Sequence, residues 1–423
     1  MIDVKRIVEE REYVEKALLK RVAKENLDLD SIVELYNKRR DLQMQFDTKR
    51  AQQNSFNEKM AKVEKGSDEF KSTVTELKEK SEEVKKIEES LRMTEKELKE
   101  KLDVLPNIPE EDVVGGGKEN NVVIKEVGKK PTFDFEIKDH VQLGKELGIF
   151  DFETASKIAG NNFAMYRGLG ARLEWALINF FISKHIEDGY EMVIPPNLAT
   201  EESAYIAGQL PKFKEDVYWV QDGLCLVPTA ETVLTNIFKG DMLEEKDLPK
   251  KFFAYTPCYR REAGTYRANE KGLIRVHQFN KVEMYHFTTE EKSEESFEEM
   301  VNKAEAIVTA LGLHYRVVKL AAGDCAAGAA KTYDIEVYIP SMDMYYEVSS
   351  VSNVKEYQSR RGNMRYKPDD GGKPKYMHTL NGSGLATSRL MVALVETYQN
   401  QDGSITIPEV LRPFMGNIDK ISK

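Results

Sequence analysis

The chain has 423 residues, 41% of them hydrophobic, and a net charge of -10, enough for two or three domains and a sizeable core. That charge excludes a protein that coats nucleic acid nonspecifically, though not one with a local RNA-binding surface. Three cysteines without a CxxC spacing exclude a disulfide scaffold or zinc cluster and read as reduced thiols of a cytoplasmic protein, and no run of about eighteen apolar residues, nor an apolar signal core, suggests membrane or export.

From Ser31 to Asp103 nearly every residue favours helix, and the apolar spacing is heptad-like. Ile32, Leu35, Leu42, Phe46, Phe56, Met60 and Val63 fall on one 3,4 register, with Arg39, Lys49 and Gln53 completing the seam. After a break at Lys65-Gly66-Ser67 the pattern resumes with Phe70, Val74, Leu77, Val84, Leu91, Leu98 and Leu102, leaving Ser81, Glu88 and Glu95 in the seam. So short a turn makes the helices antiparallel, setting Arg39 opposite Glu95 and Gln53 opposite Ser81. Helices of about 32 to 36 residues project roughly 50 Å. Residues 31–65 hold eight basic against five acidic side chains, whereas residues 68–103 hold nine against twelve. The first helix is therefore the one suited to a polyanion, although a solvated coiled coil that only dimerises or spaces shows the same pattern.

Leu105-Pro106-Asn107-Ile108-Pro109 ends the second helix, and Gly115-Gly116-Gly117 reads as a flexible joint. A new domain is expected from Val122. Within it, helices near 171–188, 290–311 and 388–398 alternate with strands near 191–194, 217–220, 224–227, 333–338 and 345–350. No regular βαβ alternation appears, so the fold class is α+β, an antiparallel sheet with flanking helices.

The stretch Phe252–Phe287 predicts two strands around a polar loop. Strict alternation puts Cys258, Arg260 and Glu262 on one face of the first, and Arg275, His277, Phe279, Lys281 and Glu283 on one face of the second. A cross-strand ion pair on a solvated sheet accounts for any one such pair. A guanidinium, carboxylates and an aromatic plane together suit a ligand with a phosphate, a flat ring and a polar head. No GxxxxGK[ST], GxGxxG, HExxH or GxSxG occurs. Further polar residues cluster in LVPTAE (Thr229, Glu231), YEVSS (Glu347, Ser349, Ser350) and HTLNGSGLATSR (Ser383, Arg389).

Together these segments resemble the catalytic core of class II aminoacyl-tRNA synthetases, and the chain as a whole resembles the seryl-tRNA synthetase family. EMVIPPNLATEESAYIAGQLPKF resembles the first motif, TPCYRREAG with LIRVHQFNKVEM the second, and LNGSGLATSR the third; KTYDIEVYIP and SNVKEYQSRR match as well. The resemblance implies a tRNA-binding domain over residues 1–105 carrying the helical arm of 31–103, a linker over 106–121 and a catalytic domain over 122–423. It implies ATP, Mg²⁺ and L-serine at the site, and as partners serine tRNA, gripped by its long variable arm, and a second copy of the chain through the segment around Pro195 and Pro196. Selenocysteine tRNA joins the acceptors where one exists.

Carried onto this sequence, the resemblance implies that Arg260 binds the α-phosphate and the amino-acid carboxylate, acting with Glu347 and Arg389 as the catalytic set. Phe279 stacks on adenine, with Arg261, Glu262 and Val276 completing the nucleotide contacts. Glu347, Val348, Ser349 and Ser350 face the phosphates, Glu347 and Ser350 hold Mg²⁺, and Arg389 neutralises the terminal phosphate. L-serine falls to Thr229, Ala230 and Glu231 at the ammonium and to Glu283 and Ser383 at the hydroxyl, with Asn381 beside them. Lys38, Arg39, Arg40, Lys49 and Arg50 of the arm, with Lys271, contact tRNA. Two departures stand out: Lys271-Gly272, preceded by TYRANE, replaces an Arg-Gly, and Thr387-Ser388 replaces a Val-Gly, a change expected to leave activity intact. A synthetase for another small amino acid, an enzyme loading a carrier protein and a noncatalytic RNA-binding relative remain as alternatives.

Overall fold

A computed structural model of the protein describes residues 1–61, 63–262 and 270–423. It contains two compact units, Ile2–Pro106 and Met1 with Asn107–Lys423.

In the first unit, helices α1 (Leu29–Met60) and α2 (Asp68–Asp103) pack along their length. Their starts are chemically marked: Asp28 accepts from the Ser31 amide at 3.2 Å, and Ser67 accepts from the Phe70 amide at 3.1 Å. Arg39 pairs with Glu95 at 3.1 Å as the folded register requires, and Lys49 reaches Glu83 at 2.8 Å. The α2 seam corrects the expected phase. Val74 is 41% exposed and Glu88 and Glu95 are exposed, whereas Thr94 is buried and Thr73, Lys80 and Ile87 are half-buried. At about 100° per residue the runs 70, 73, 77 and 70, 74, 77 are near-equivalent stripes. Burying Ile87 and Thr94 in place of two glutamates decides for the first. Glu95 then reaches Arg39 from the flank.

The second unit is built on an eight-stranded sheet. Its strands are β1 (Val122–Val127), β2 (Glu191–Val193), β3 (Lys250–Tyr259), β4 (Gln278–Thr288), β5 (Tyr315–Lys319), β6 (Lys331–Ile339), β7 (Met344–Lys355) and β8 (His378–Ala386). The order is β1-β5-β6-β7-β8-β4-β3-β2, antiparallel except for β2 on β3. Helices α3 (Gly168–Glu187), α4 (Ser293–Ala310) and α5 (Thr387–Thr397) feed Leu177, Phe181, Phe297, Met300, Leu390 and Leu394 into the core with Val282, Met284, Ile335 and Val351 of the strands. The α+β antiparallel architecture expected from the sequence is the one formed.

Two expectations change. Residues 217–220 form no strand, Trp219 making only an isolated bridge to Cys225. Nor are residues 107–121 a free joint: Asn107 donates from its amide to Ala327 O at 2.7 Å and from its side chain to Val354 O at 2.9 Å, while Ala322 and Gly323 donate to Val114 O and Gly116 O at 2.8 Å. Asn107, Val114 and Gly116 are thus tied by their backbone to the body of the second unit.

Candidate active site

β3 and β4 form a continuous antiparallel ladder, with Ala254 opposite Glu283 and Cys258 opposite Phe279. On the other side of β4, Ser383 of β8 is the direct cross-strand partner of Glu283. Ser383 lies between Gly382 and Gly384, and a Cβ at Gly384 would stand 2.2 Å from His185 Nε2 of α3. That close approach requires glycine.

Glu283 is buried and its two oxygens are treated differently. Oε2 pairs with the buried Lys281 ammonium and accepts from Thr229 Oγ1 at 3.2 Å, whereas Oε1 is buried with no hydrogen-bond partner among the described residues. An unpartnered carboxylate oxygen is costly unless something donates to it. Thr229 Oγ1 in turn accepts from the Glu231 amide at 3.2 Å. Glu231 Oε1 accepts from Gln358 Nε2 at 2.7 Å, and Gln358 is itself fixed by hydroxyls of Tyr285 and Thr379 donating to its Oε1 at 2.7 and 2.6 Å. Burial first, and then the neighbouring Glu283 charge, push the Glu231 carboxyl up to about 7, against Lys281, Gln358 and Arg260.

Of these groups Thr229, Glu231 and Gln358 border a cavity of about 430 Å³, lined also by Gln209, Phe213, Arg260, Glu262 and Asn381 among others, and Glu283 reaches it through its bond with Thr229. Arg260 donates from Nε to Pro228 O at 3.3 Å, and its guanidinium lies 5.2 Å from the Phe279 ring centroid. The expected strict alternation through Arg260 and Glu262 fails, because β3 ends at Tyr259. The Arg260 amide still donates to His277 O at 2.9 Å, but the Arg261 amide turns to Asp216 O and Glu262 takes φ +50°. Likewise Arg275 and His277 precede β4; Arg275 pairs with Glu262 and Glu270.

On β7 a bulge between Glu347 and Ser349 breaks the alternation. Val348 and Val351, three apart, both enter the core, which leaves Glu347 and Ser350 on the opposite side. Glu347 pairs with Arg389 at 3.5 Å, and the Arg389 guanidinium also donates to Glu347 O at 3.1 Å and to Ile274 O at 3.2 Å. Ser350 stands opposite Asp334 of β6 and hydrogen-bonds it. Asp334 is buried with Oδ1 unpartnered among the described residues, and burial, then the Glu347 charge, hold its carboxyl well above the usual range.

A carboxylate, a hydroxyl and a second carboxyl with an unmet oxygen suit a hard divalent cation. Among the described residues no group of three His, Cys, Asp or Glu forms a closed metal cage.

Other predicted residues are placed less directly. The side chains of Ala230 and Val348 pack in apolar clusters, Val276 is buried, and Ser349 Oγ donates to Ser383 O at 2.5 Å, so these side chains are taken up within the fold. Arg261 is exposed. On the arm, Lys38 and Arg40 are exposed, Arg50 donates to Gln53 at 3.3 Å, and Arg39 and Lys49 carry the interhelical pairs. Lys271 pairs with Asp139 at 2.7 Å. Of the atypical loop Thr265–Gly272, residues 265–269 lie outside the described residues. Strand parity puts Lys281 on the Glu283 face without giving it a role, while Gln358 and Asp334 sit in quoted segments with only a polar residue inside a helical or β-rich run as signal.

Residues 1–109 match the seryl-tRNA synthetase N-terminal domain, and residues 215–398 match the tRNA synthetase class II core domain (G, H, P, S and T). Serine–tRNA ligase 2 of Clostridium acetobutylicum is 47% identical, and serine–tRNA ligase of Thermoanaerobacter pseudethanolicus 46%, each over the whole of both chains. The chain belongs to the seryl-tRNA synthetase family. Among solved structures, seryl-tRNA synthetase from Pyrococcus horikoshii complexed with ATP aligns at TM-score 0.92 and 33% identity over 100% of this chain and 99% of that one. Cytoplasmic serine–tRNA ligase from Naegleria fowleri in complex with AMP aligns at 0.87 and 29% over the same shares.

Proposed function

We propose that the chain is a serine–tRNA ligase: it joins L-serine to ATP as seryl-adenylate with release of pyrophosphate, then passes the seryl group to the terminal ribose of serine tRNA. The observation that carries the serine assignment is Glu283, whose Oε2 is held by Lys281 and Thr229 while its buried Oε1 lacks a donor among the described residues. A substrate hydroxyl supplies that donor. Alanine leaves the oxygen unpaired, a penalty that reaches roughly 10⁴- to 10⁵-fold in discrimination at sites built this way.

The surrounding residues take the rest of the substrate. Glu231 and Thr229 receive the ammonium, and Arg260 spans the serine carboxylate and the α-phosphate where charge develops. Phe279 offers its ring to adenine, and Arg389, braced on Ile274 O and the Glu347 backbone, meets the terminal phosphate. Glu347 and Ser350 would hold Mg²⁺, with Asp334 behind Ser350; the ion, when bound, neutralises phosphate charge. No protein nucleophile is needed, because the serine carboxylate attacks in line and positioning carries the acceleration.

The exposed first arm helix, with Lys38, Arg40 and Arg50, is the surface we assign to the long variable arm of the tRNA. Trp175 at 54% exposure and Ile186 at 55%, three turns apart on α3, with Ile194 at 86%, favour a homodimer through the first-motif segment. Three buried free cysteines fit a reducing cytoplasm, and no helix among the described residues is long and apolar enough to cross a membrane. ATP–pyrophosphate exchange run with each amino acid, followed by aminoacylation of total tRNA, tests the function: serine-only exchange with charging is expected. Exchange without charging, or exchange with another amino acid, overturns it. Removal of residues 31–103 is expected to spare exchange and abolish charging.

A further inference from the structure

His140 lies outside all the motifs above, yet it is 2% exposed and joins two segments of the ATP side. Its backbone amide donates to Glu396 Oε1 at 2.9 Å, Nδ1 lies 2.9 Å from the same oxygen, and the Leu273 amide donates to Nε2 at 3.2 Å. The Leu273 amide can only donate, so Nε2 accepts and Nδ1 carries the proton toward Glu396. Glu396 shares α5 with Arg389, two turns away on one face, and its Oε2 accepts from the Ser341 amide at 3.0 Å.

The limb 271–274 is held at each step. Lys271 pairs with Asp139 at 2.7 Å, and Gly272 stands at φ +64°, where a Cβ would come within 2.2 Å of His140 Nε2. Leu273 bonds His140, and Ile274 O accepts from Arg389 Nε at 3.2 Å. We infer that His140 is a positioning residue for the ATP half of the site: it fixes limb 271–274 against α5 and, through Ile274 O, sets where the Arg389 guanidinium stands. The inference presupposes Arg389 as a phosphate ligand. An ordinary buried His–Glu pair would stabilise the fold but would not select ATP over serine.

Three variants of the full chain separate the two bonds. His140→Gln keeps an acceptor near the place of Nε2, His140→Asn keeps a donor near that of Nδ1, and His140→Ala keeps neither. Equilibrium binding of ATP and of serine is measured separately by calorimetry, with hydrogen exchange at the Leu273 amide. Ala and Asn are expected to weaken ATP binding about tenfold and to speed Leu273 exchange, with serine affinity held within about twofold and Gln close to the parent. Equal behaviour of Asn and Gln, or parallel loss of ATP and serine affinity, overturns the inference. The Gln and Asn pair carries the comparison if Ala fails to fold. Arg389→Ala is the control: ATP loss there without loss in His140→Ala sinks the inference alone, whereas unchanged ATP affinity in Arg389→Ala sinks the Arg389 assignment and the inference with it.

Discussion

Replacing Glu283 separates recognition from stability, because its two oxygens do different work. In Glu283→Ala the acceptor for the serine hydroxyl disappears, and a hydrogen bond to a charged group contributes about 1.5–3 kcal/mol. Serine kcat/KM is therefore expected to fall by about tenfold to about a hundredfold, with ATP KM unchanged, since Glu283 is held by Lys281 and Thr229. The same substitution strands Lys281 with its side chain 7% exposed, and breaking a buried pair costs about 3–5 kcal/mol. The double variant Glu283→Gln with Lys281→Met removes both charges at nearly constant volume; it is expected to recover most of the melting temperature but not the serine preference. Pyrophosphate exchange with serine and with alanine, beside thermal melts of each variant, gives both readouts. Unchanged serine kcat/KM in Glu283→Ala refutes the assignment, as does a double variant that recovers serine selectivity with its stability.

Glu231, with its carboxyl pushed up to about 7, must be ionised to receive an ammonium, so serine KM is expected to fall about tenfold from pH 6 to pH 8; Glu231→Gln flattens that profile, and a flat profile in the parent chain contradicts the role. Thr387, one of the sequence departures, donates to Glu174 Oε1 at 2.5 Å beside Asn280 Nδ2 at 2.8 Å, and burial pushes the Glu174 carboxyl up to about 7 against these bonds. An acid raised by folding contributes stability at low pH and loses it as pH rises through 7. Thr387→Val removes a donor to the carboxylate, so it is expected to cost about 1.5–3 kcal/mol at pH 8 and less at pH 5, with exchange activity retained; equal melting losses at both pH values sink this account. Reversing the exposed Arg39–Glu95 pair is expected to move arm stability by no more than about 1 kcal/mol, measured by helix unfolding, and a larger loss would show that the pair is desolvated.

What the sequence made legible depended on local periodicity. The Arg39–Glu95 pairing follows from folding one heptad register about Gly66, and the Lys281–Glu283 juxtaposition from strand parity within β4. Parity misled where a strand ended or slipped. Arg260 and Glu262 lie past Tyr259, and Glu347 and Ser350 share a side only because of a bulge no local pattern announces. Asp334 and Gln358 were illegible for a different reason: their roles arise from cross-strand register and from a helix packed against β8, which bring together residues far apart in the chain. On α2 the two candidate stripes differ by one residue in seven, and the burial of Ile87 and Thr94 instead of Glu88 and Glu95 chose between them.

The bulge at Val348 splits β7 into two halves of opposite phase. Upstream, the even-numbered Tyr346 and Val348 pack toward the core; downstream, the odd-numbered Val351 does, so Ser352 borders the cavity. Shortening the strand there by one residue would bring it into a single phase without altering any downstream side chain's identity. Without Ser349, Tyr346, Val348 and Val351 would still face the core, and Glu347 would still share the side of Ser350 and Ser352. The bulge thus lengthens the strand by one residue without exchanging its faces, and what it adds is the Ser349 hydroxyl bonded to Ser383 O.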